Sequence, residues 1–282
     1  MALPDGFDLN GFVQRTLAED LGTGGDVTSN ATIAADARFA AAMNCREPIV
    51  VAGLEIGVAV FRELDAEVQI ALLVSDGEKV EAGTVLMRLD GNARAMLAAE
   101  RSALNTLQHL SGIATLARRY ADQIAGTSAT LLDTRKTIPG LRVLEKYAAR
   151  MGGAHNHRMR LDDGVLIKDN HVAVCGGVAE AVRRARAADT GLQVQVEVDR
   201  LEQIEPALAA GADRLLLDNM PPPLLREAVE RVRGRVPLEA SGGVNLDTIR
   251  GIAETGVDFI SVGRITQSAP AVDIGLDYAI NR

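Results

Sequence analysis

Residues 194–264 read VQVEVDRLEQIEPALAAGADRLLLDNMPPPLLREAVERVRGRVPLEASGGVNLDTIRGIAETGVDFISVGR. Short apolar runs at 194–198, 214–217, 237–240 and 259–262 alternate with helical patterns at 201–210, 222–232 and 246–254. Such alternation, with a period of about 20–30 residues, is the pattern of βα units. The runs are apolar on both faces, so helices must cover a parallel sheet. Several of the helices are opened by Pro and closed by Gly, as capping expects. Moving outward, the same texture adds strands at 130–132 and 165–168 and helices at 139–151 and 178–189. Six strands fall short of the eight of a full barrel. The expectation is an α/β chain with an incomplete (β/α) barrel over residues 115–267. A doubly wound open sheet is the alternative.

Residues 1–114 have a different texture. A helix is expected at 8–21 with Asn10 as N-cap, and the glycine-rich turn 22–28 ends it. A phosphate loop should follow a strand and open a helix, and this turn follows a helix. Strands are expected at 39–43, 49–52, 68–74 and 85–89, and helices at 54–64 and 92–111. On the last helix Met96, Leu97, Ala103, Leu104, Leu107 and Leu110 share a face, and Arg101, Asn105 and Gln108 form a polar stripe. Glu100 points into the apolar arc and needs a cap or a cation. The tail, 268–282, carries Ile274, Leu276, Tyr278 and Ile280 and is expected to pack back on the first domain.

Composition narrows the class. Of 282 residues 47% are hydrophobic, only 3% are aromatic and none is Trp, so the core is aliphatic, as in barrels and layered α/β folds. Cys45 and Cys175 give neither ligand spacing nor a disulfide framework, which fits a cytoplasmic protein. The apolar run 49–61 is interrupted by Glu55 and is too short to span a bilayer. The start has no basic segment followed by an apolar one, so no signal peptide is expected. Residues 135–171 hold eight Lys/Arg against four Asp/Glu in a chain of net charge -8. A basic island in an acidic protein points to a locally bound anion. Nucleic acid would need a basic face across a domain, and no membrane partner is expected.

In a barrel, chemistry sits at the C-terminal strand ends. Those ends are Asp133-Thr134-Arg135-Lys136, Lys168-Asp169-Asn170-His171, Glu197 with Asp199, Asp218-Asn219, Ser241-Gly242-Gly243 and Ser261-Val262-Gly263-Arg264. The last two are glycine-rich and precede helices, the place for a phosphate. Glu197 and Asp218, on neighbouring strands, suit Mg²⁺ held through water or a developing cation; salt bridges to Lys168 or Arg158 are the plain alternative. His155 and His157 lack a third ligand for zinc. His157, beside Arg158, suits donation to a substrate carboxylate, while His155 reads as structural. A Schiff-base role for Lys168 would need an apolar pocket, and its neighbours are charged.

The runs Asp133-Thr134-Arg135-Lys136-Thr137-Ile138-Pro139, His155-Asn156-His157-Arg158 and Ile167-Lys168-Asp169-Asn170-His171 resemble the quinolinate phosphoribosyltransferase family. So do Glu100-Arg101-Ser102-Ala103-Leu104-Asn105, Leu217-Asp218-Asn219, Glu239-Ala240-Ser241-Gly242-Gly243 and Ile260-Ser261-Val262-Gly263. The resemblance covers nearly the whole chain. It implies an N-terminal α/β sandwich domain, an incomplete (β/α) barrel and a C-terminal tail packing back on the first domain. It implies that quinolinate and phosphoribosyl pyrophosphate, with Mg²⁺, give nicotinate mononucleotide, pyrophosphate and CO2. Arg101, Thr134, Arg135, Lys136, His157, Arg158 and Lys168 would bind carboxylates and phosphates. Glu197 and Asp218 would act on the ribosyl and metal side, with Lys136 and Lys168 also in the catalytic set. Ser241, Gly242, Gly243, Ser261, Val262 and Gly263 would cradle phosphate. The resemblance also implies a homodimer with shared sites, Arg101 reaching the partner's. A related phosphoribosyltransferase with another acceptor is the alternative, because a fold alone does not decide the acceptor.

Overall fold

A computed structural model describes residues 3, 4 and 6–278. Two compact units emerge, Met1–Arg118 with Val143–Gly153 and Ser268–Arg282, and Arg119–Arg142 with Ala154–Gln267. The chain begins with α1 (Leu9–Leu21) and α2 (Val27–Thr32). Asp8, not Asn10, caps α1, accepting from the Gly11 N–H at 2.9 Å. Asn10 lies within the first turn, where its side chain is no longer placed to cap. The turn 22–28 is shorter than expected, because Asp26 caps α2 by accepting from the Ser29 N–H at 3.0 Å. Then come β1 (Arg38–Cys45), β2 (Ile49–Val50), α3 (Leu54–Leu64), β3 (Gln69–Leu72), β4 (Lys79–Val80), β5 (Val85–Asn92) and α4 (Ala93–Gln123).

Helix α4 has 31 residues and runs well past the expected end at 111. Nothing in 112–123 is a proline, and its hydroxyls stay in use. The Ser111 hydroxyl accepts from the Ala52 N–H at 3.0 Å and the Thr115 hydroxyl from the Val50 N–H at 2.8 Å. Glu100 is half-buried; burial pushes its carboxyl up, opposed by the Arg101 charge.

The remaining elements are β6 (Thr130–Leu132), α5 (Arg142–Met151), β7 (Val165–Ile167), α6 (Asp169–Cys175), α7 (Val178–Ala187), β8 (Val194–Val198), α8 (Ile204–Ala209), β9 (Arg214–Asp218), α9 (Pro222–Val232), β10 (Leu238–Ser241), α10 (Ile249–Ala253), β11 (Phe259–Ser261), α11 (Arg264–Gln267) and β12 (Ile274–Tyr278).

In the first unit the sheet order is β12-β1-β5-β3, with antiparallel pairing throughout. The tail therefore does return to the first domain, as an edge strand pairing Cys45 with Ile274 through Ala41 with Tyr278; Ile280 lies outside the described residues. Gln108, read as part of a polar stripe, ties this tail down by donating to the Ile274 carbonyl at 2.7 Å. Gly112 lets α4 approach the tail, since a Cβ there would collide with the Pro270 carbonyl oxygen. The expected single domain 115–267 is interrupted, because Val143–Gly153 groups with the first unit. Its buried polar groups pair there: Glu145 with His109 at 2.9 Å, and the Tyr147 hydroxyl with Asp76 at 2.6 Å.

The second unit holds a six-stranded, all-parallel sheet in the order β6-β11-β10-β9-β8-β7. Consecutive strands β7 to β11 are neighbours, and β6 then pairs with β11. First meeting last is the connectivity of a barrel; a doubly wound sheet would reverse direction at a switch point. The ring is open between β6 and β7. His155 bridges to Leu132 in parallel on the free edge of β6, donating to the Leu131 carbonyl at 2.8 Å. His155, outside every element expected from the sequence, is thus part of a strand fragment beside the opening. Every residue of β8 is buried, with Leu215, Leu216 and Leu217 of β9 and Leu238 and Ala240 of β10.

Candidate active site

The C-terminal strand ends of the second unit enclose a cavity of about 520 Å³. Its walls include Thr134, Arg135, Lys136, His157, Arg158, Lys168, Asp218, Ser241, Gly242, Gly243, Ser261, Val262, Gly263 and Arg264. Thirteen of the fifteen site residues read from the sequence therefore meet in one place. Glu197 and Arg101 do not line it. Glu197 is buried on β8 and receives the Lys168 ammonium in a short ion pair. Arg101 is exposed on α4 of the first unit.

Local structure explains each placement. The chain leaves β6 at the fully buried Asp133, whose carboxylate accepts from the His157 N–H at 2.8 Å and the Asn156 amide at 2.5 Å. That single carboxylate joins the Thr134–Lys136 turn to the His155–Arg158 fragment on the free edge of β6. Thr134 accepts from the Lys136 N–H at 3.0 Å, and the Thr266 hydroxyl donates to the Lys136 carbonyl at 2.8 Å. Gly263 leaves room for the Lys136 side chain; a Cβ there would stand 2.9 Å from Lys136 Cδ. Helix α6 begins immediately after β7, so Lys168 sits at a strand-to-helix junction, with its N–H bonded to His171 Nδ1 at 2.9 Å.

On the opposite wall, Asn219 donates to Asp218 at 2.6 Å, and its N–H donates to the Ser241 carbonyl at 2.8 Å. Gly242 has φ +89, and a Cβ would lie 2.5 Å from Asn219 Cγ and closer still to its Oδ1. Only glycine fits there on both counts.

The electrostatics are lopsided. Arg135 Nε is buried without a hydrogen-bond partner. Burial pushes the Arg158 guanidinium below its ordinary value, the like charge of Arg135 pushes the same way, and Asp163 opposes. Two crowded guanidinium groups, one with a buried Nε left unpartnered on Arg135, are what a carboxylate or phosphate would satisfy.

His157 departs from its sequence reading. Its Nδ1 accepts from the Arg158 N–H at 2.8 Å, and its Nε2 lies 3.3 Å from Glu239 Oε2. Both ring nitrogens are engaged within the chain, so donation to a substrate would first break a contact. Glu239, Leu166, Leu216 and Gln267 also line the cavity and were missed as site residues. Glu239 left a signal, a lone carboxylate in the apolar run PLEA, which needs partners to be buried. It has Arg214 at 2.7 Å and Gln195 at 2.8 Å. Burial pushes its carboxyl up; His157, Arg214 and Ser261 outweigh that and hold it down at about 2. Lys168 faces a carboxylate, not the apolar pocket of a Schiff-base lysine.

Among the described residues no group of three or more His, Cys, Asp and Glu is placed to hold a metal ion. Of the two carboxylates on adjacent strands, Asp218 lines the cavity and Glu197 is engaged by Lys168. Asp218, with Glu197 if Lys168 turns to a bound anion, is a donor set that would suit Mg²⁺, which takes one or two carboxylates and completes its shell with water and substrate phosphates.

Fold and cavity together define a barrel enzyme whose glycine-rich strand ends suit a phosphate beside cations that suit a second anion. The sequence matches the descriptions "Quinolinate phosphoribosyl transferase, N-terminal domain" over residues 26–111 and "Quinolinate phosphoribosyl transferase, C-terminal domain" over residues 113–277. The nicotinate-nucleotide pyrophosphorylase [carboxylating] of Mycobacterium leprae is 44% identical over 270 residues, 94% of this chain and 95% of that one. A probable nicotinate-nucleotide pyrophosphorylase of Bacillus subtilis is 41% identical over 93% of this chain and 91% of its own. The solved structure of the Francisella tularensis nicotinate-nucleotide pyrophosphorylase superposes with TM-score 0.92 at 43% identity, covering 96% of both chains. The chain belongs to the quinolinate phosphoribosyltransferase family and is a phosphoribosyltransferase.

Proposed function

We propose that this enzyme transfers the phosphoribosyl group of phosphoribosyl pyrophosphate to quinolinate and releases CO2, giving nicotinate mononucleotide in NAD biosynthesis. The observation that carries this reading is the crowding of Arg135 and Arg158, with an unpartnered buried Nε on Arg135, beside a glycine-rich phosphate cradle. Two adjacent carboxylates on the acceptor match two crowded cations better than one would.

Arg135, Arg158 and Lys168 hold the dicarboxylate, and Lys136 and the loops at Ser241–Gly243 and Ser261–Gly263 hold the donor phosphates. The pyridine nitrogen attacks the anomeric carbon as pyrophosphate leaves. Positive charge grows on the ribose; Asp218 on the cavity wall stabilises it, and Glu197 does so once Lys168 turns from it to the bound acceptor. The product pyridinium takes up the electron pair of the adjacent C–C bond as CO2 departs, and a proton from water replaces the carboxylate. Holding both substrates in register supplies much of the rate. Asp218 and Glu197 would hold Mg²⁺, which would supply neutralising charge for the leaving pyrophosphate.

The working form is a homodimer in which Arg101 serves the partner's acceptor site. Its exposure on α4, and its absence from the cavity wall of the second unit, support that reading. No helix of the described residues is long and apolar enough to cross a membrane. A cytoplasmic setting is supported by the two unpaired cysteines, although an Arabidopsis relative is named chloroplastic. The reading is tested by an acceptor screen with quinolinate, nicotinate and nicotinamide, each with donor and Mg²⁺, followed by pyrophosphate release. Quinolinate should be turned over and the other two poorly; equal turnover of nicotinate would sink it.

A further inference from the structure

We propose that Glu239 is a positioning residue for the acceptor end of the cavity, fixing the His157 ring in one tautomer and, through that ring, the backbone of Arg158. Glu239 is fully buried on β10, two residues before the phosphate loop. Its Oε2 collects three groups: an Arg214 guanidinium nitrogen at 2.7 Å, the Gln195 amide at 2.8 Å and His157 Nε2 at 3.3 Å. A carboxylate only accepts, so His157 must present an N–H from Nε2. On the far side of the ring, Nδ1 accepts from the Arg158 N–H at 2.8 Å. A protonated Nδ1 would set two donors against each other there. The two contacts together allow one arrangement, with the proton on Nε2 and the lone pair on Nδ1.

The same fragment is pinned from the other side by Asp133, also fully buried, through the His157 N–H at 2.8 Å. Backbone and ring are therefore held by different carboxylates, Asp133 just past β6 and Glu239 on β10. Arg158 is the next residue, and its guanidinium lines the cavity while also donating to the Gly164 carbonyl at 2.9 Å. His157 thus transmits the position of Glu239 to an anion-binding arginine. Arg214, stacked 3.8 Å over the Phe259 ring, keeps Glu239 in place from the opposite end of the strands.

The test is E239Q. A glutamine of the same shape offers an amide NH2 as well as a carbonyl, so the demand on His157 Nε2 is no longer one-sided. The proposal rests on quinolinate being the acceptor, but the tautomer is read without any substrate, so the two ideas fail separately. Histidine-labelled enzyme is examined by long-range ¹H–¹⁵N NMR, and initial rates are measured with quinolinate and donor varied in turn. Wild type should show His157 protonated at Nε2 and bare at Nδ1. E239Q should lose that signature and raise the quinolinate KM by roughly tenfold or more, the scale of one lost buried hydrogen bond, with a smaller change in kcat and donor KM. A wild-type His157 protonated at Nδ1 overturns the proposal, and needs no variant to fold. So does an E239Q enzyme that changes tautomer and keeps the wild-type quinolinate KM.

Discussion

Replacing Gly242 by Ala separates backbone strain from a collision in the phosphate loop. Gly242 and Gly243 both have positive φ, +89 and +62. An alanine at either should cost ~1–2 kcal/mol for the left-handed backbone. Only at Gly242 does a Cβ meet something close: Asn219 Cγ at 2.5 Å and the Asn219 backbone N at 3.0 Å, against a nearest atom 3.9 Å away at Gly243. The Asn219 side chain must therefore turn away and give up its 2.6 Å bond to Asp218. That adds ~1–2 kcal/mol, so G242A should lose roughly 2–4 kcal/mol in all. Thermal unfolding should fall by on the order of 5–10 °C for G242A and about half that for G243A. Because Asp218 loses its support, kcat/KM for the donor should drop by about 10² or more in G242A. N219G removes the obstructing side chain and tolerates the positive φ at 219, so G242A should cost less in that background. Equal stability and equal kcat/KM for G242A and G243A would refute the collision.

Three further outcomes follow from the same geometry. E197Q and D218N should each lower kcat by roughly 10²–10³, the scale of one electrostatic group facing a developing charge, with little change in quinolinate KM; steady-state kinetics at saturating donor checks this. Glu239, held at about 2 against an ordinary 4.5, stabilises the fold fully above pH 4.5 and loses that contribution as pH falls toward 2. The gap between the urea midpoints of wild type and E239Q should therefore hold steady from pH 6 to about 4.5 and close as pH falls toward 2, and a gap unchanged below pH 4.5 would contradict it. Inactive R101A and K168A homodimers, mixed under conditions that exchange subunits, should recover roughly a quarter of wild-type activity if Arg101 acts in trans, because about half the dimers carry one intact site; no recovery places Arg101 in its own subunit.

Much of this molecule is legible in its sequence because strand ends and chemistry coincide in a barrel. The strands at 130–132 and 194–198 fall where their apolar runs put them, and the helix at Pro222–Val232 follows from its prolines. The misses have physical causes. Helix α5 has the period of a barrel helix, but Glu145 and Tyr147 find their partners in the first unit, a tertiary fact with no local mark. Helices α6 and α11, of 7 and 4 residues, are too short to show a period. His155–Arg158 has no strand composition; the bridge to Leu132 holds it at the barrel's opening. For His157 residue type suggested a donor, but the Arg158 N–H and Glu239 decide what the ring does, and neither partner can be read from spacing. Glu197 and Glu239 share one signal, a carboxylate inside a buried strand, and each proves to sit on a cation: Lys168 for one, Arg214 for the other.

The most direct test of decarboxylating transfer uses quinolinate labelled in the carboxylate next to the ring nitrogen, incubated with phosphoribosyl pyrophosphate, Mg²⁺ and the wild-type enzyme. Labelled CO2 and pyrophosphate are counted from the same reaction. The account predicts that they appear together and in equal amounts, with nicotinate mononucleotide as the nucleotide product. Pyrophosphate released while the label stays in the nucleotide would contradict it.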